Sequence, residues 1–184
     1  MSKLVIASIG PASSVQDGGR PGSQRYGLVP SGAMDRLALA AANALAGNEP
    51  FTAAVEVGPF GASFTARGGA VRVALAGAPR NADIAGRAVA SGTSATLADG
   101  ETLTLGFARG GSFSYLAIEG GITGEPMFGS LAVNARRPRK PLSSATASRR
   151  RIAGEGGQRR CRTADRMAGR ARGPDPHHLG ATGR

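Results

Sequence analysis

Everything from which a hydrophobic core can be built stops at residue 135. All six Phe and both Tyr precede position 136, and the 49 residues beyond it offer only Leu142, Ile152, Met167 and Leu179 as large aliphatic side chains. Charge breaks at the same place: nine basic and nine acidic residues cancel over 1–135, so the entire formal charge of +11 sits on 136–184. A segment with so little apolar surface cannot offset the entropy of ordering it, and 136–184 therefore reads as a disordered basic tail rich in Arg, Pro and Ser. Any fold belongs to 1–135. The nucleic-acid binding suggested by the overall charge reduces to non-specific, salt-sensitive phosphate contacts through runs such as Arg149–Arg151 and Arg159–Arg160. A regulatory or nucleic-acid-binding role through this tail is the alternative of a different class from any enzyme.

Within 1–135, short apolar runs are punctuated by glycine: "KLVIAS", "AAVEV", "SFTA", "VRVALAG", "ADIAG", "ETLTLGF" and "SFSYLAIEG". Runs of this length, recurring about every 8 to 12 residues, predict a mainly β domain of the barrel or sandwich kind rather than βαβ units. Gly68-Gly69, Asp99-Gly100 and Gly110-Gly111 stand between successive runs and read as hairpin turns, because these residues tolerate positive φ. One segment departs from the pattern. "MDRLALAAANALAGN" sets Leu37, Ala40, Ala41, Ala44 and Leu45 at helical spacing, predicting one helix near residues 34–46 with Ser31 or Asp35 as its cap and Gly47 as its stop.

A single cysteine, Cys161, excludes an intrachain disulfide. With no charged-then-apolar leader and no membrane-length apolar run, a soluble, cytoplasmic protein with no membrane association is expected. His177, His178 and Cys161 match no zinc spacing, so no metal site is expected.

Between the first strand and the helix lies a polar, glycine-rich connection with Gln16, Asp17, Arg20, Arg25, Tyr26, Ser31 and Asp35. Guanidiniums, a carboxylate and a helix N-terminus so close together are suited to gripping an anionic group of a small-molecule substrate. The plainer reading uses the same residues: Asp17 and Arg20 pair with each other, Ser31 and Asp35 are caps, and the glycines are turns. Glu119, before Gly120-Gly121, either faces the site or is a solvated strand end.

The string "GPASSVQDGGRPGSQRYGLVPSGAMDRLALAAANALAGN", with "AAVEVGPFG" and "YLAIEGGI" after it, resembles the biotin-dependent carboxyltransferase family, which includes the C-type subunit of 5-oxoprolinase and the allophanate hydrolase subunit 2 part of urea carboxylase (urea amidolyase). The likeness runs from residue 4 to about 135 and rests on Q-D-x-G-R and S-G-A-M-D. It implies an incomplete cyclophilin-like β-barrel over 1–135, working with a B-type partner protein at a shared active site. The oxoprolinase branch implies a complex, including an A-type component, that opens 5-oxoproline to glutamate with ATP. The urea carboxylase branch implies carboxyl transfer from carboxybiotin to urea. No P-loop or biotin-carrying lysine is visible, so neither cofactor is expected to be bound by this chain alone. Motif position implies Gln16, Asp17 and Arg20 as catalytic candidates, Arg20 holding a substrate carboxylate or carbonyl oxygen, and Ser31, Gly32 and Asp35 as substrate-binding candidates.

Members of that family continue differently after Gly129-Ser130. Read one nucleotide later, "RRPRKPLSSATASRRR" can encode "AGLGSPYPRLQPAGD" and "DPHHLGATGR" can encode "IRIISAPQDD", both of which resemble the family. The expectation is a displaced reading frame near residue 135. The chain as written would then have exposed strand edges, poor stability and no activity.

Overall fold

The computed structural model describes residues 2–134 and 144–146. The expected disorder and phosphate contacts of the tail, together with Cys161, His177 and His178, lie outside the described residues, except for Ser144–Thr146.

Among these residues, eleven strands and one α-helix follow the chain as β1 (Lys3–Ile9), β2 (Ser14–Gln16), α1 (Arg36–Ala46), β3 (Ala54–Val57), β4 (Ala62–Arg67), β5 (Val71–Gly77), β6 (Arg80–Ile84), β7 (Arg87–Ala88), β8 (Thr93–Leu97), β9 (Thr102–Ala108), β10 (Ser114–Ile118) and β11 (Ser144–Thr146). The domain is mainly β, as the sequence predicts. One sheet has the order β11-β1-β4-β9-β6-β7 and the other β2-β3-β10-β5-β8, and every ladder is antiparallel. Among the described residues, no ladder joins the two sheets into a closed barrel.

The two sheets face each other across one apolar core, and their sequences show which has a second covered face. In β4, Ala62, Phe64 and Ala66 are buried while Ser63, Thr65 and Arg67 are not, which is the alternation of a sheet wet on one side. In β10 all five residues are buried: Leu116 and Ile118 enter the inter-sheet core, while Tyr115 and Ala117 face the helix. Strand β5 divides in the same way. Val71, Val73 and Leu75 point inward, and Ala74 and Ala76 lie under α1. Alanine on both sides of this second interface, with Ala38, Ala42 and Ala46 from the helix, lets helix and sheet approach closely.

Asp35 caps α1, its Oδ1 accepting from Leu37 N at 3.0 Å and Ala38 N at 2.9 Å; Ser31 does not serve as the cap. At the other end Gly47 adopts φ 79°, and the N–H groups of Gly47 and Asn48 return to the carbonyls of Ala44 and Asn43. The buried stripe differs from the expected one. Ala38, Leu39, Ala42, Asn43, Leu45 and Ala46 face the sheet, whereas Leu37 is 84% exposed and Ala44 is exposed. In an alanine-rich helix several stripes look equally apolar, and the sheet surface selects among them.

The turns also correct the sequence reading. Gly68-Gly69, Asp99-Gly100 and Gly110-Gly111 do not close hairpins, because each joins a strand of one sheet to a strand of the other. The tight hairpin of the described residues joins β6 to β7 through Ala85 (φ 49°) and Gly86 (φ 83°), the two positive φ values of a type I′ turn. Ser144–Thr146 adds an unexpected edge strand to β1, with Leu4 opposite Ala145. Buried Arg80 ties the β3–β4 corner to β9 by donating to the Val57, Gly58 and Gly106 carbonyls. Burial without a carboxylate partner lowers its pKa from the usual guanidinium value.

Candidate functional site

The polar connection folds into two loops held against the segment 127–133. Gln16 ends β2 and is 7% exposed; its Nε2 donates to Ser14 Oγ at 2.9 Å and to the Val133 carbonyl at 3.2 Å. Its Oε1 accepts from Gly32 N at 3.1 Å. One side chain thus joins three parts of the chain.

Asp17 turns both carboxylate oxygens inward. Oδ1 accepts from Gly19 N and from Ser130 Oγ, each at 2.7 Å, and Oδ2 accepts from Leu131 N at 2.7 Å. Arg20, 4% exposed, donates from Nε to the Met127 carbonyl at 3.3 Å, from Nη1 to Ser31 Oγ at 3.0 Å, and from Nη2 to the Ala132 carbonyl. Among the described residues the ion pairs are Arg72–Glu119 and Arg87–Glu101, so Asp17 and Arg20 do not pair with each other. Each grips a different part of 127–132.

Ser31 lies at φ 52° and Gly32 at φ 101°. Gly19, at φ 79°, passes beneath them, where an added Cβ would come 2.6 Å from the Ser31 carbonyl oxygen. Only a glycine fits there. After this crossing, four successive N–H groups go to four different acceptors: Gly32 to Gln16 Oε1, Ala33 to the Asp17 carbonyl at 3.1 Å, Met34 to Glu56 Oε2 at 2.9 Å, and Asp35 to Tyr115 Oη at 2.7 Å.

The structure therefore brings Gln16, Asp17, Arg20, Ser31 and Gly32 together and puts Asp35 at the adjoining helix end. It also shows how fully they are engaged. The amides of Gly32 to Asp35, and those of Leu37 and Ala38, are donated to protein acceptors, so the helix N-terminus is not an open anion cradle in this conformation. Each Arg20 nitrogen already has one acceptor, which uses three of the five guanidinium N–H groups. Arg25 and Tyr26 stand outside the cluster: Arg25 lies 4.8 Å above the exposed Tyr26 ring, which meets Phe128 at 5.9 Å. Glu119 is half-exposed, 3.9 Å from Arg72, and is the solvated strand end.

Two residues beneath the motif were not among those singled out from the sequence. Glu56 in β3 is 6% exposed, and Tyr115 in β10 is fully buried. The Tyr115 hydroxyl donates to Glu56 Oε2 at 2.7 Å while accepting from Asp35 N. Burial, with the neighbouring Glu56 and Asp35 charges adding to it, raises the Tyr115 pKa well above the ordinary phenol value, although the Asp35 amide opposes the shift. A carboxylate inside the apolar run "AAVEV" was the available signal, since glutamate is seldom fully buried without a partner.

Among the described residues, no group of three or more His, Cys, Asp or Glu side chains is placed to hold a metal ion. No described helix is long and apolar enough to cross a membrane.

Comparison with known proteins agrees with this motif-bearing sandwich. Residues 26–157 match the family model "Carboxyltransferase domain, subdomain A and B". The chain is 36% identical over 135 residues to the C-type subunit of 5-oxoprolinase from Escherichia coli (strain K12), covering 72% of this chain and 43% of that protein. It is 34% identical over 128 residues to urea amidolyase of Saccharomyces cerevisiae, covering 69% of this chain and 7% of that protein. It thus spans less than half the length of these relatives. Among solved structures, TTHA0988 superposes with a TM-score of 0.79 at 28% identity, over 88% of this chain and 34% of that one. The K. lactis urea amidolyase does so with a TM-score of 0.67, also at 28% identity, over 71% of this chain and 8% of that one. With Q-D-x-G-R and S-G-A-M-D folded together and the family model covering most of its length, this chain belongs to the carboxyltransferase domain family.

Proposed function

We propose that residues 1–135 are the front part of the C-type component of an ATP-dependent 5-oxoprolinase, a cytoplasmic complex completed by A-type and B-type partners that opens 5-oxoproline to glutamate, and that the chain as written is inactive in it. The observation that carries the reading is the 36% identity to the C-type component of 5-oxoprolinase over 135 residues. In this reading Gln16, Asp17 and Arg20 act at the reacting end of the substrate, and Ser31, Gly32 and Asp35 shape the surface beside it. The start of the helix is no phosphate cradle in this conformation. A phosphate cradle needs free backbone amides, and those from Gly32 to Asp35 are committed to protein acceptors. In this reading ATP chemistry belongs to the partner proteins, and this chain contributes a prearranged wall of the site.

The match to urea amidolyase favours a second reading, the carboxyltransferase part of a biotin-dependent urea carboxylase. Co-expression of the full chain with A-type and B-type partners separates the two. With the reading frame restored beyond residue 135, ATP-dependent glutamate formation from 5-oxoproline, lost when this chain is omitted, is the expected result, and the chain as written is expected to give none. Carboxyl transfer from carboxybiotin to urea without 5-oxoproline turnover overturns it. The proposal extends to residues 136–184 as an out-of-frame continuation, tested by resequencing the codons for Val133 to Lys140. A displaced base that restores "AGLGSPYP" supports it, and stops throughout the shifted frame reject it.

A further inference from the structure

The run Gly32 to Asp35 emerges from the left-handed Ser31–Gly32 pair and leads directly into α1, and its four N–H groups need four acceptors outside the segment. The Q-D-x-G-R motif supplies the first two, Gln16 Oε1 and the Asp17 carbonyl. The other two come from the sheet below: Glu56 Oε2 takes Met34 N, and Tyr115 Oη takes Asp35 N. Glu56 and Tyr115 sit on neighbouring strands, directly opposite each other in the β3–β10 register, and are joined at 2.7 Å. Both face the helix side of the sheet, in an interface built largely of alanines. A carboxylate and a phenol placed in so apolar an interface, with their polar atoms on the start of the helix, serve the segment above them.

We infer that Glu56 and Tyr115 are positioning residues that fix the height and direction of Ser31–Asp35 at the candidate site. They act through hydrogen bonding and not through charge or proton transfer. Glu56 Oε2 accepts from two donors, as an amide oxygen also can, so glutamine at this position preserves the arrangement and leucine destroys it. This role rests on the proposed function for its consequence in catalysis, but not for its structural content.

The test uses the full chain carrying Glu56→Gln, Glu56→Leu or Tyr115→Phe, with residue-resolved amide exchange as the first readout. For Glu56→Leu and Tyr115→Phe, exchange at Met34 and Asp35 is expected to accelerate about tenfold or more, with the remote Leu103–Leu105 amides changed by less than roughly twofold. Glu56→Gln is expected to stay close to wild type. Unchanged protection at Met34 and Asp35 in both disrupting variants overturns the inference, as does an equal loss in the remote strand, which marks a general packing role. The second readout is turnover in the complex with A-type and B-type partners, with each variant carried by the chain whose frame beyond residue 135 is restored. Glu56→Gln is expected to keep kcat within roughly threefold, whereas Glu56→Leu lowers it about tenfold or more. If Glu56→Gln is as inactive as Glu56→Leu with its amide protection intact, Glu56 acts chemically and the positioning role is wrong. A complex inactive on 5-oxoproline even with the frame-restored, otherwise unaltered chain sinks the proposed function alone, since the exchange data still decide the positioning.

Discussion

The inter-sheet core and the loop clasp are both largely buried, yet they are held by different forces. In the core, Leu4, Val55, Phe64, Val73, Leu103, Leu116 and Ile118 exclude water, with no requirement on direction. In the clasp, Gln16, Asp17, Arg20, Glu56 and Tyr115 make hydrogen bonds that depend on distance and angle. The core therefore tolerates rearrangement among apolar side chains of similar volume. The clasp tolerates almost none, because losing one partner leaves another buried polar group unpaired. Residues that read as catalytic from their chemistry are, in this conformation, also what holds the two loops together.

The largest effect is expected in the core. Phe64→Ala should lower the unfolding free energy by about 3 to 5 kcal/mol, measured by denaturant titration, and a loss below about 1 kcal/mol would mean that the core is loosely packed. Arg20→Met comes next, at about 2 to 3 kcal/mol, because the Met127 and Ala132 carbonyls and Ser31 Oγ lose their donor. Amide exchange should place that damage in 17–35 and 127–133; damage spread evenly over both sheets would erase the distinction between the two regions.

Alkaline pH tests the clasp in another way. The folded protein raises the Tyr115 pKa, so above the unfolded phenol value of about 10 the unfolded chain releases a proton that the folded chain keeps. The contribution is fully present below that pH and falls as pH rises, by up to about 1.4 kcal/mol per unit. Tyr115→Phe should flatten this limb of the stability profile, and an unchanged slope would assign it to other groups. Asp35→Ala removes the cap and should cost about 1 kcal/mol, read from the thermal midpoint. The smallest effect belongs to Leu37→Ser, expected within about 0.5 kcal/mol because the side chain stands in solvent. A larger loss would put that side chain against structure in solution.

Much of the strand inventory was legible. "VRVALAG" matches β5 residue for residue, and "KLVIAS", "SFTA" and "ETLTLGF" mark β1, β4 and β9 to within a residue or two at either end. Strands β2, β7, β8 and β11 escaped notice, being short or poor in large apolar residues. Three glycine-containing turns were placed correctly and given the wrong partners, since positive φ reports that the chain bends and not which sheet receives the next strand. Motif position singled out Gln16, Asp17, Arg20, Ser31 and Gly32, which the fold brings together. It was blind to Ser130, Leu131 and Ala132, which lie more than a hundred residues from Asp17 in sequence and meet it or Arg20 only in the fold.

The sequence by itself determined that the described residues are mainly β with one α-helix, because the period of the apolar residues is a local property of the chain. It also confined every aromatic residue to the first 135 positions and marked the family through two short motifs. Only the tertiary structure decided which helix stripe is buried, which sheet each strand joins, and which acceptor each amide of Gly32 to Asp35 finds. Those choices depend on atoms distant in sequence arriving within about 3 Å of one another, a condition that no local pattern encodes.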